Sequence, residues 1–527
     1  MSSDAGLLEQ IIASPADDEP RLVLADVLLQ RGEPRGELIA IQCLLEKLPA
    51  RDPQRPALRR RERRLIAAHE TRWKQELGLG ERCFVTFRRG FVETLDWRSE
   101  GPVPETLWRQ TPLRELAMGD CELPSHVALA RLERLRLSHA SMDRAWWTEL
   151  AERLDSSALA SLAIGHARSL EPDGLATLLS LLPSLRELDV RDLAFEYPGR
   201  RAPLADAAAE IVADAACPEL RAIAVAHLSQ QGVRRIVEAP WFASVESAAI
   251  ESSEIEDGIF EVFGPELRRV SLDHSDVRPF ASPAWLANVT ELSLRYVDRR
   301  ALAKLKDAPL AHLEVLRLQC MRGEGDAARD GALTARDAAA LGAARFQRLR
   351  DLDVSDNRIG PKGAAALASL GLEAIDLGNN QIADAGLVAI ASGPRADRLT
   401  ALTLPGNGIT ARGIASIATS PSLRLLRLGS ISDDAAAELA RSALDLEELE
   451  VATTSAELSL QLAQRWGVPI EGLRRVQHER FGEGTVHETV GEKLAIVFDL
   501  HGRKVLAPGY VTDITPPPIA DWLRRAR

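Results

Sequence analysis

The chain has 527 residues, of which 46% are hydrophobic and 4% aromatic, and its formal net charge at pH 7 is −12. The apolar content excludes a disordered chain, and so few aromatic residues disfavour a sandwich with an aromatic core. The five cysteines never form a CxxC pair, which argues against a zinc knuckle and a disulfide framework.

No stretch approaches the ~18 continuous apolar residues of a membrane helix. The N-terminus lacks both the basic start and the long apolar run of a signal peptide. We therefore expect a cytoplasmic protein that makes no membrane contact.

Residues 1–50 are predicted to form three helices. LLEQIIASP indicates the first, DDEPRLVLADVLLQRG a second that Asp17 or Asp18 caps and Gly32 closes, and EPRGELIAIQCLLEKL the third. The stretch DDEPRLVLADVLLQRGEPRGELIAIQ resembles the repeat-companion domain that precedes leucine-rich arrays in some bacteria. The resemblance implies a bacterial protein and a capping role, and it implies no chemistry.

Residues 51–80 are predicted to form a basic amphipathic helix or linker. Nine basic and three acidic residues lie between Arg51 and Lys74, including the run RRRERR at 59–64. Leu58, Leu65, Ile66 and Trp73 give this segment an apolar side, so the solvated face of a helix is the main interpretation of the charges. A nucleic-acid or membrane contact is the alternative.

The string LxxLxL recurs through residues 81–471. If Val and Ile are allowed at the apolar positions, fifteen copies begin at Val92, Leu113, Leu132, Leu159, Leu185, Leu220, Val245, Leu267, Val289, Leu313, Leu349, Leu372, Leu399, Leu423 and Leu446. Their spacing of 19 to 36 residues suits one strand and one return segment per copy. The pattern indicates a leucine-rich repeat solenoid of the α/β class, with a parallel concave sheet and convex helices.

Three copies extend to LxxLxLxxNxI and contain Asn357, Asn380 and Asn407. Such an Asn satisfies backbone groups of neighbouring turns where the chain leaves the sheet, so we interpret all three as structural. Cys121 occupies the same position in its own copy.

Ala-rich segments follow these three asparagines and place Gly363, Gly386 and Gly413 at one common offset. We attribute the glycines to close approach of helix and sheet. These copies resemble ribonuclease-inhibitor-like repeats, which implies one convex helix per repeat. The shorter copies between Val245 and Leu313 are expected to return in irregular or single-turn form.

The acidity belongs to the repeats, because residues 81–471 carry 43 basic and 57 acidic side chains. A nucleic-acid groove along the array is therefore disfavoured, since phosphate binding requires clustered Lys and Arg. A basic or apolar protein partner fits better.

The middle exposed position of each predicted strand supplies candidate partner-binding residues on the concave face. The charged candidates are Asp189, Arg317, Asp353, Asp376, Arg427 and Glu450. Two insertions, AFEYPGRRAP after Leu193 and RGEGDAARDGA after Met321, could carry contacts at the edge, although ordinary variation in loop length explains them equally well.

Four of the ten histidines occupy the seventh position after a repeat start. Among them, His139 and His166 are flanked by Asp120 and Asp192, which suggests a metal-binding or pH-sensitive rim. The preferred interpretation is that His tolerates the strand-exit conformation, because a closed zinc site requires four ligands in tetrahedral array. We therefore predict neither a metal nor another cofactor.

Residues 472–515 alternate apolar and polar residues between Gly-containing turns, which predicts a small antiparallel barrel, followed by a tail at 516–527. HERFGEGTV followed by AIVFD resembles the Tudor-like or SH3-like domain of UvrD-type and PcrA-type helicases. In those helicases the domain contacts RNA polymerase, so the resemblance implies docking to a protein.

The chain contains neither GxxxxGK[ST] nor GxSxG, and its three HE dipeptides lack the second His of HExxH. We therefore predict a non-enzymatic scaffold that binds a protein through its concave face and edge loops. The alternative is an accessory factor in bacterial transcription or DNA repair that docks to RNA polymerase through the C-terminal barrel.

Overall fold

The computed structural model describes residues 4–80, 82–99, 101–119, 121–137, 144–154, 159–165, 172–192, 201–253, 255, 257–273, 283–296, 308–319, 332–344, 346–453, 455–466, 475–478, 482–490, 493–498, 502–507, 510 and 512–513. Two compact units divide the chain. Unit 1 comprises Met1–Lys47, His69–Ala332 and Ala344–Leu349; unit 2 comprises Leu48–Ala68, Leu333–Ala343 and Arg350–Arg527. No helix in the described ranges is long and apolar enough to cross a membrane.

Unit 1 begins with three helices, α1 (Asp4–Ala13), α2 (Glu19–Gln30) and α3 (Pro34–Lys47). Asp17 Oδ1 accepts a hydrogen bond of 2.9 Å from the Glu19 backbone, and Gly32 follows α2 with φ of +73°. Apolar side chains of all three helices pack into one buried cluster that also includes Phe91.

The strands β1 (Phe84–Arg88) and β2 (Phe91–Trp97) form an antiparallel hairpin, and the sequence pattern did not predict the first of them. Gln42 on α3 holds the hairpin turn at both ends. Its Nε2 donates to Phe87 O at 2.9 Å, and its Oε1 accepts from Gly90 N at 2.7 Å. A Cβ at Gly90 would lie 2.0 Å from Ile39 Cγ1, so the turn requires glycine.

Strands β2 to β11 of unit 1 are parallel and hydrogen-bond in chain order. The strands after β2 are β3 (Glu115–Met118), β4 (Arg134–Leu137), β5 (Ser161–Gly165), β6 (Glu187–Asp192), β7 (Ala222–Ala226), β8 (Ser247–Glu251), β9 (Arg269–Asp273), β10 (Glu291–Arg295) and β11 (Val315–Gln319). Each of these nine begins two residues after a predicted LxxLxL start.

Helices return the chain between most of these strands. The helix α4 (Arg55–Glu76) precedes β1 and passes from unit 2 into unit 1 at His69. The returning helices are α5 (Glu105–Gln110), α6 (His126–Leu129), α7 (Arg144–Leu154), α8 (Pro172–Ser180), α9 (Arg201–Asp214) and α10 (Gln230–Val237). The copies that begin at Val245 and Leu267 return through 3-10 turns, Asp257–Glu261 and Pro283–Asn288.

Aromatic rings fill the space beside these short returns. The ring centres of Phe260 and Trp285 are 5.3 Å apart and stacked, and Phe263 meets Trp285 edge-on at 5.4 Å. Phe242 extends the cluster, with its ring centre 6.0 Å from that of Phe263. A 3-10 turn covers less of the sheet than a helix, so large rings supply the buried apolar area that helical side chains provide elsewhere.

Unit 2 contains the last five parallel strands and the helices that accompany them. The strands are β12 (Asp351–Asp353), β13 (Ala374–Asp376), β14 (Ala401–Thr403), β15 (Leu425–Ser430) and β16 (Glu448–Ala452). The helices are α11 (Ala335–Gly342), α12 (Gly360–Leu367), α13 (Ala383–Ala391), α14 (Ala411–Ile417), α15 (Asp433–Arg441) and α16 (Ala456–Trp466). The fifteen predicted copies thus correspond to β2–β16.

A second sheet follows in residues 475–513. Its five strands are antiparallel, in the order β20-β19-β18-β17-β21. They are β17 (Arg475–His478), β18 (Gly482–Val490), β19 (Lys493–Phe498), β20 (Gly502–Leu506) and β21 (Thr512–Asp513). Closure into a barrel and docking to RNA polymerase stay predictions from the resemblance.

Asn380 is fully buried at the strand exit of unit 2. Its Nδ2 donates to Val354 O at 2.8 Å, Leu377 O at 3.1 Å and Gly378 O at 3.0 Å, and its Oδ1 accepts from Ile359 N at 3.3 Å. The side chain therefore links two adjacent turns, because Val354 and Ile359 belong to the preceding repeat.

Asn357 and Asn407 repeat this geometry. Asn357 Oδ1 accepts from Leu333 N at 2.8 Å, and Asn407 Oδ1 accepts from Asn380 N at 3.0 Å and Ile382 N at 3.1 Å. These hydrogen bonds to the backbone of neighbouring turns support the structural role that we predicted for the three asparagines.

Ser253 links two adjacent turns of unit 1 in the same way, although the sequence pattern did not identify it as such a residue. It occupies the Asn position of its repeat and is 4% exposed. Its Oγ accepts from Leu228 N at 3.0 Å and donates to Glu251 O at 2.8 Å.

We expect Asn380→Ala to lower the free energy of unfolding of unit 2 by about 2–4 kcal/mol, because several buried backbone groups lose their partner. Urea unfolding followed by circular dichroism measures the change. Asn379→Gly is the matched control: Asn379 is exposed with φ of 54°, which glycine adopts freely, so we expect a change below about 0.5 kcal/mol. Equal effects of the two substitutions would contradict the structural part assigned to Asn380.

A buried ion pair joins α2 to the hairpin. Arg21 Nη2 lies 2.9 Å from Glu93 Oε1, with both side chains at most 5% exposed, and Arg89 Nη2 lies 3.5 Å from the same oxygen. Burial raises the pKa of Glu93, against the opposing effect of Arg21, and burial lowers the pKa of Arg21. Desolvation therefore offsets much of the attraction within the pair.

We expect Arg21→Met to cost about 3–5 kcal/mol of stability, because Glu93 loses its closest cation. Arg21→Met with Glu93→Leu should cost much less than the two single substitutions together. A raised pKa in the folded state means that the penalty is small below the ordinary value of 4.5, where Glu93 is protonated, and grows as the pH rises through the folded pKa. Urea titrations of Arg21→Met at pH 4 and pH 7 test this, and equal losses at both would contradict it.

Candidate functional site

The outward face of the repeat strands is the largest candidate surface. Along β3, β5, β8 and β11 buried and partly exposed residues alternate strictly, as an amphipathic strand requires. The buried positions are the apolar positions of LxxLxL, which hold mostly Leu and Ile but also Met118 and Ala248, and the outward positions are variable.

One row of outward residues in unit 1 is continuous across six strands. The strand register pairs Asp189 with Ala224, Ala224 with Ala249, and Ala249 with Ser271. It then pairs Ser271 with Ser293 on β10, and Ser293 with Arg317 on β11. We call this the small-residue row: four small side chains lie between an acidic end and a basic end.

Both charged ends of the row are paired within the protein. Arg191 Nη2 lies 2.7 Å from Asp189 Oδ2, and its Nη1 lies 2.6 Å from Glu251 Oε1. Hydrogen bonding to Asp189 raises the pKa of Arg191 further above its ordinary value. At the other end Arg317 forms an ion pair with Glu291.

Arg191 and Glu251 lie one outward position beyond the predicted column and were not among the candidates. Their contact spans β7, because Arg191 follows β6 residue Asp189 and Glu251 lies on β8. Ala226 pairs with Glu251 in the register and is buried, so the arginine crosses a strand that presents only alanine. The alternating Ala residues of AIAVA at 222–226 are the sequence signal from which the contact between Arg191 and Glu251 across β7 could have been predicted.

The predicted candidates in unit 2 divide into two kinds. Arg427 is an outward cation, 2.7 Å from Glu448 and 3.3 Å from Glu450. Asp353 and Asp376 accept hydrogen bonds from the backbone N of the second residue after them, at 2.9 Å and 2.8 Å. These two carboxylates therefore shape the strand exits.

Five described non-glycine residues of the seventh-position column share a left-handed backbone conformation. His227, Ser252 and Tyr296 in unit 1 have φ of 60°, 44° and 57°, and Asp356 and Asn379 in unit 2 have 58° and 54°. This left-handed region is enriched in His, Asn and Asp. The strand exit therefore accounts for a histidine in the column without invoking a metal.

The metal candidates themselves are only partly described. His139, His166 and Asp120 lie outside the described residues, and Asp192 ends β6 with its side chain also outside them. Within the described ranges, no group of three or more His, Cys, Asp or Glu side chains could hold a metal ion. Both insertions, after Leu193 and after Met321, fall mostly outside the described residues.

Gly363 and Gly386 are required by close contacts between neighbouring helices. A Cβ at Gly363 would lie 3.0 Å from Ala338 Cβ on α11 and 2.2 Å from Ile359 Cγ2. A Cβ at Gly386 would lie 3.2 Å from Ala364 Cβ on α12. We attributed these glycines to close approach of helix and sheet. The close contacts are instead made with the preceding helix and with the turn before the glycine's own helix.

The absence of a side chain at Gly413 leaves room for the carboxylate of Asp384 on the preceding helix. A Cβ there would lie 2.5 Å from Asp384 Oδ1, which accepts a hydrogen bond of 2.8 Å from the Thr410 backbone. Gly232 stands in the same relation to Asp206, at 2.0 Å. In both places one repeat caps the first turn of the next helix, which the carboxylate reaches because the glycine has no side chain.

Residues 347–368 and 372–391 match the family model described as Leucine Rich repeat. A search of the curated proteins finds no match. Among solved structures, the Rad7 and Elc1 complex of yeast aligns with TM-score 0.36 and 12% identity, over 68% of this chain and 75% of that chain. An internalin (inlF) from Listeria monocytogenes aligns with TM-score 0.31 and 14% identity, over 68% and 87%.

Each segment that matches the family model contains one strand, one exit turn and one helix. The first holds β12 and α12, and the second holds β13 and α13. Asn357 and Asn380, at the Asn position of the LxxLxLxxNxI pattern, lie within them. These two segments are leucine-rich repeats.

Proposed function

We propose that the protein is a non-enzymatic scaffold that binds a protein partner on the outward face of its repeat strands. The small-residue row carries this proposal. From Asp189 to Arg317 the row spans five strand spacings, about 24 Å, which is sufficient for one element of secondary structure from a partner. Its four small side chains would allow that element to approach the sheet closely.

The charges around the row support a polar protein partner. Asp189 and Arg317 are each held by an oppositely charged neighbour, so both are positioned before a partner arrives. Positioned charges of opposite sign at two ends favour one orientation of the bound element. The acidic balance of the repeats disfavours nucleic acid on the same face.

Ala249→Arg should disrupt partner binding, because it places a long cation in the middle of the small-residue row. Ala249 is partly exposed and points outward, so the fold should tolerate the change. We expect partner affinity to fall at least about tenfold. Affinity capture of the full chain from its native cells, with quantitative mass spectrometry, would identify the partner, and titration of the purified partner would measure the loss.

Ala365→Arg is the matched control, since Ala365 is an exposed alanine on α12 in unit 2. It makes the same chemical change away from the strand face and should leave binding intact. A partner that binds both variants equally well would exclude the small-residue row as the binding surface.

A further inference from the structure

The basic run at 51–64 lies within unit 2 and contacts the repeats of that unit through its arginine side chains. Arg60 Nη1 lies 2.7 Å from Asp445 Oδ1, Arg55 Nε lies 3.5 Å from Glu447 Oε1, and Arg51 Nη2 lies 3.2 Å from Glu373 Oε1. We call residues 51–68 the arginine strap and Glu373, Asp445 and Glu447 the acidic edge. The sequence predicts a solvated helix face. Arg51 is 55% exposed, in line with that expectation, whereas Arg55 and Arg60 are only 14% and 23% exposed.

Two further arginines of the strap reach the C-terminal end of α16. Arg63 Nη2 donates to Trp466 O at 2.9 Å, and Arg64 Nη2 donates to Gln464 O at 2.8 Å. The last carbonyls of a helix have no partner within the helix and lie at its negative end. The strap therefore supplies cations and donors where α16 requires both.

The acidic edge follows the start of the strands. Glu373 immediately precedes β13, and Glu447 immediately precedes β16. Asp445 lies two residues before Glu447, in the same approach to β16. The carboxylates thus line one edge of the sheet of unit 2, away from the outward strand face.

The strap is attached by ion pairs and by hydrogen bonds to backbone carbonyls. Its buried apolar side chains are Pro56 and Leu65. Arg51 and Asp445 are 55% and 51% exposed, whereas Arg55 and Glu447 are 14% and 16% exposed. Exposed ion pairs contribute about 0–1 kcal/mol each and weaken in salt. A segment with so few buried apolar contacts should open at a cost far below that of global unfolding.

The strap also opposes its own helical state. Arg59 and Arg63 are four residues apart, as are Arg60 and Arg64, and like charges at this spacing repel on a helix surface. Residues 55–68 are the N-terminal part of the 22-residue helix α4, and most helical stability in proteins comes from tertiary packing. Contact with the acidic edge therefore stabilises the helix, and release should allow the segment to unwind.

We propose that the arginine strap is a releasable cover, and that the acidic edge beneath it binds an arginine-rich helix of a partner protein once the strap is released. The carboxylates and helix-end carbonyls accept guanidinium donors, as the cis contacts demonstrate. The covalent tether gives the strap a high effective concentration, so the edge is closed to competitors while the strap is bound. This surface is separate from the small-residue row.

Hydrogen exchange of the full chain tests the release. In Arg60→Glu with Arg63→Glu, we expect amide protection of residues 57–68 to fall at least about tenfold, and 1 M NaCl should lower it in the unaltered protein. Arg72→Glu is the control, because Arg72 lies further along α4 and pairs with Glu76. It should leave residues 57–68 protected.

A charge exchange separates specific contact from general damage. Arg60→Glu alone should lower the protection of residues 57–68, and adding Asp445→Arg should restore it, since the pair is re-formed with opposite polarity. Unchanged protection in Arg60→Glu with Arg63→Glu would overturn the proposed cover. Failure of Asp445→Arg to restore protection in Arg60→Glu would overturn it as well.

A synthetic peptide of residues 51–68 probes the edge in trans. It should bind the released double variant with an affinity that falls as salt rises, and bind the unaltered protein at least about tenfold more weakly. The same peptide with every Arg replaced by Lys should bind more weakly, because Lys lacks the guanidinium fork. Absence of binding to the released double variant would contradict the proposal. Tight binding of a single-stranded RNA oligonucleotide to the unaltered protein, if Arg60→Glu abolished it, would contradict the proposal as well.

Discussion

Each repeat must turn out of the sheet immediately after its strand, and this turn leaves backbone N–H and C=O groups buried between neighbours. Two devices satisfy the requirement. In several of the described repeats the seventh residue adopts a left-handed conformation, as at His227 and Asn379, and the next position inserts a buried polar side chain, such as Asn380 or Ser253. The side chain bonds the turn of its own repeat and that of the repeat before, so the parallel register of the strands depends on it.

That constraint leaves the outward strand positions free to vary. Their charged side chains pair across strands, as Arg191 does with Glu251 over the alanines of β7, and Arg427 with Glu448. Pairing of this kind contributes little to stability at a partly exposed surface. It does orient the charges on this surface.

Arginine carries much of the contact between segments that are distant in the sequence. Arg21 joins α2 to the first hairpin through Glu93, and Arg60 and Arg63 join the strap to the last repeat. The two settings differ in burial. The Arg21–Glu93 pair is buried, so removing one partner leaves a charge without solvent. The arginines of the strap are partly exposed, so water and salt ions can replace their partners.

The sequence by itself determined the number of repeats, the residue at which each of the strands β3 to β16 begins, and the asparagines at the exits, because all of these follow from a local period. Tertiary structure alone decided what the long side chains contact. Arg60 and Asp445 are 385 residues apart, and the helix-to-helix contacts at Gly363 depend on a neighbour one repeat away. A repeat period records which face of an element is buried, but the partner of a flexible arginine depends on where distant segments meet in space.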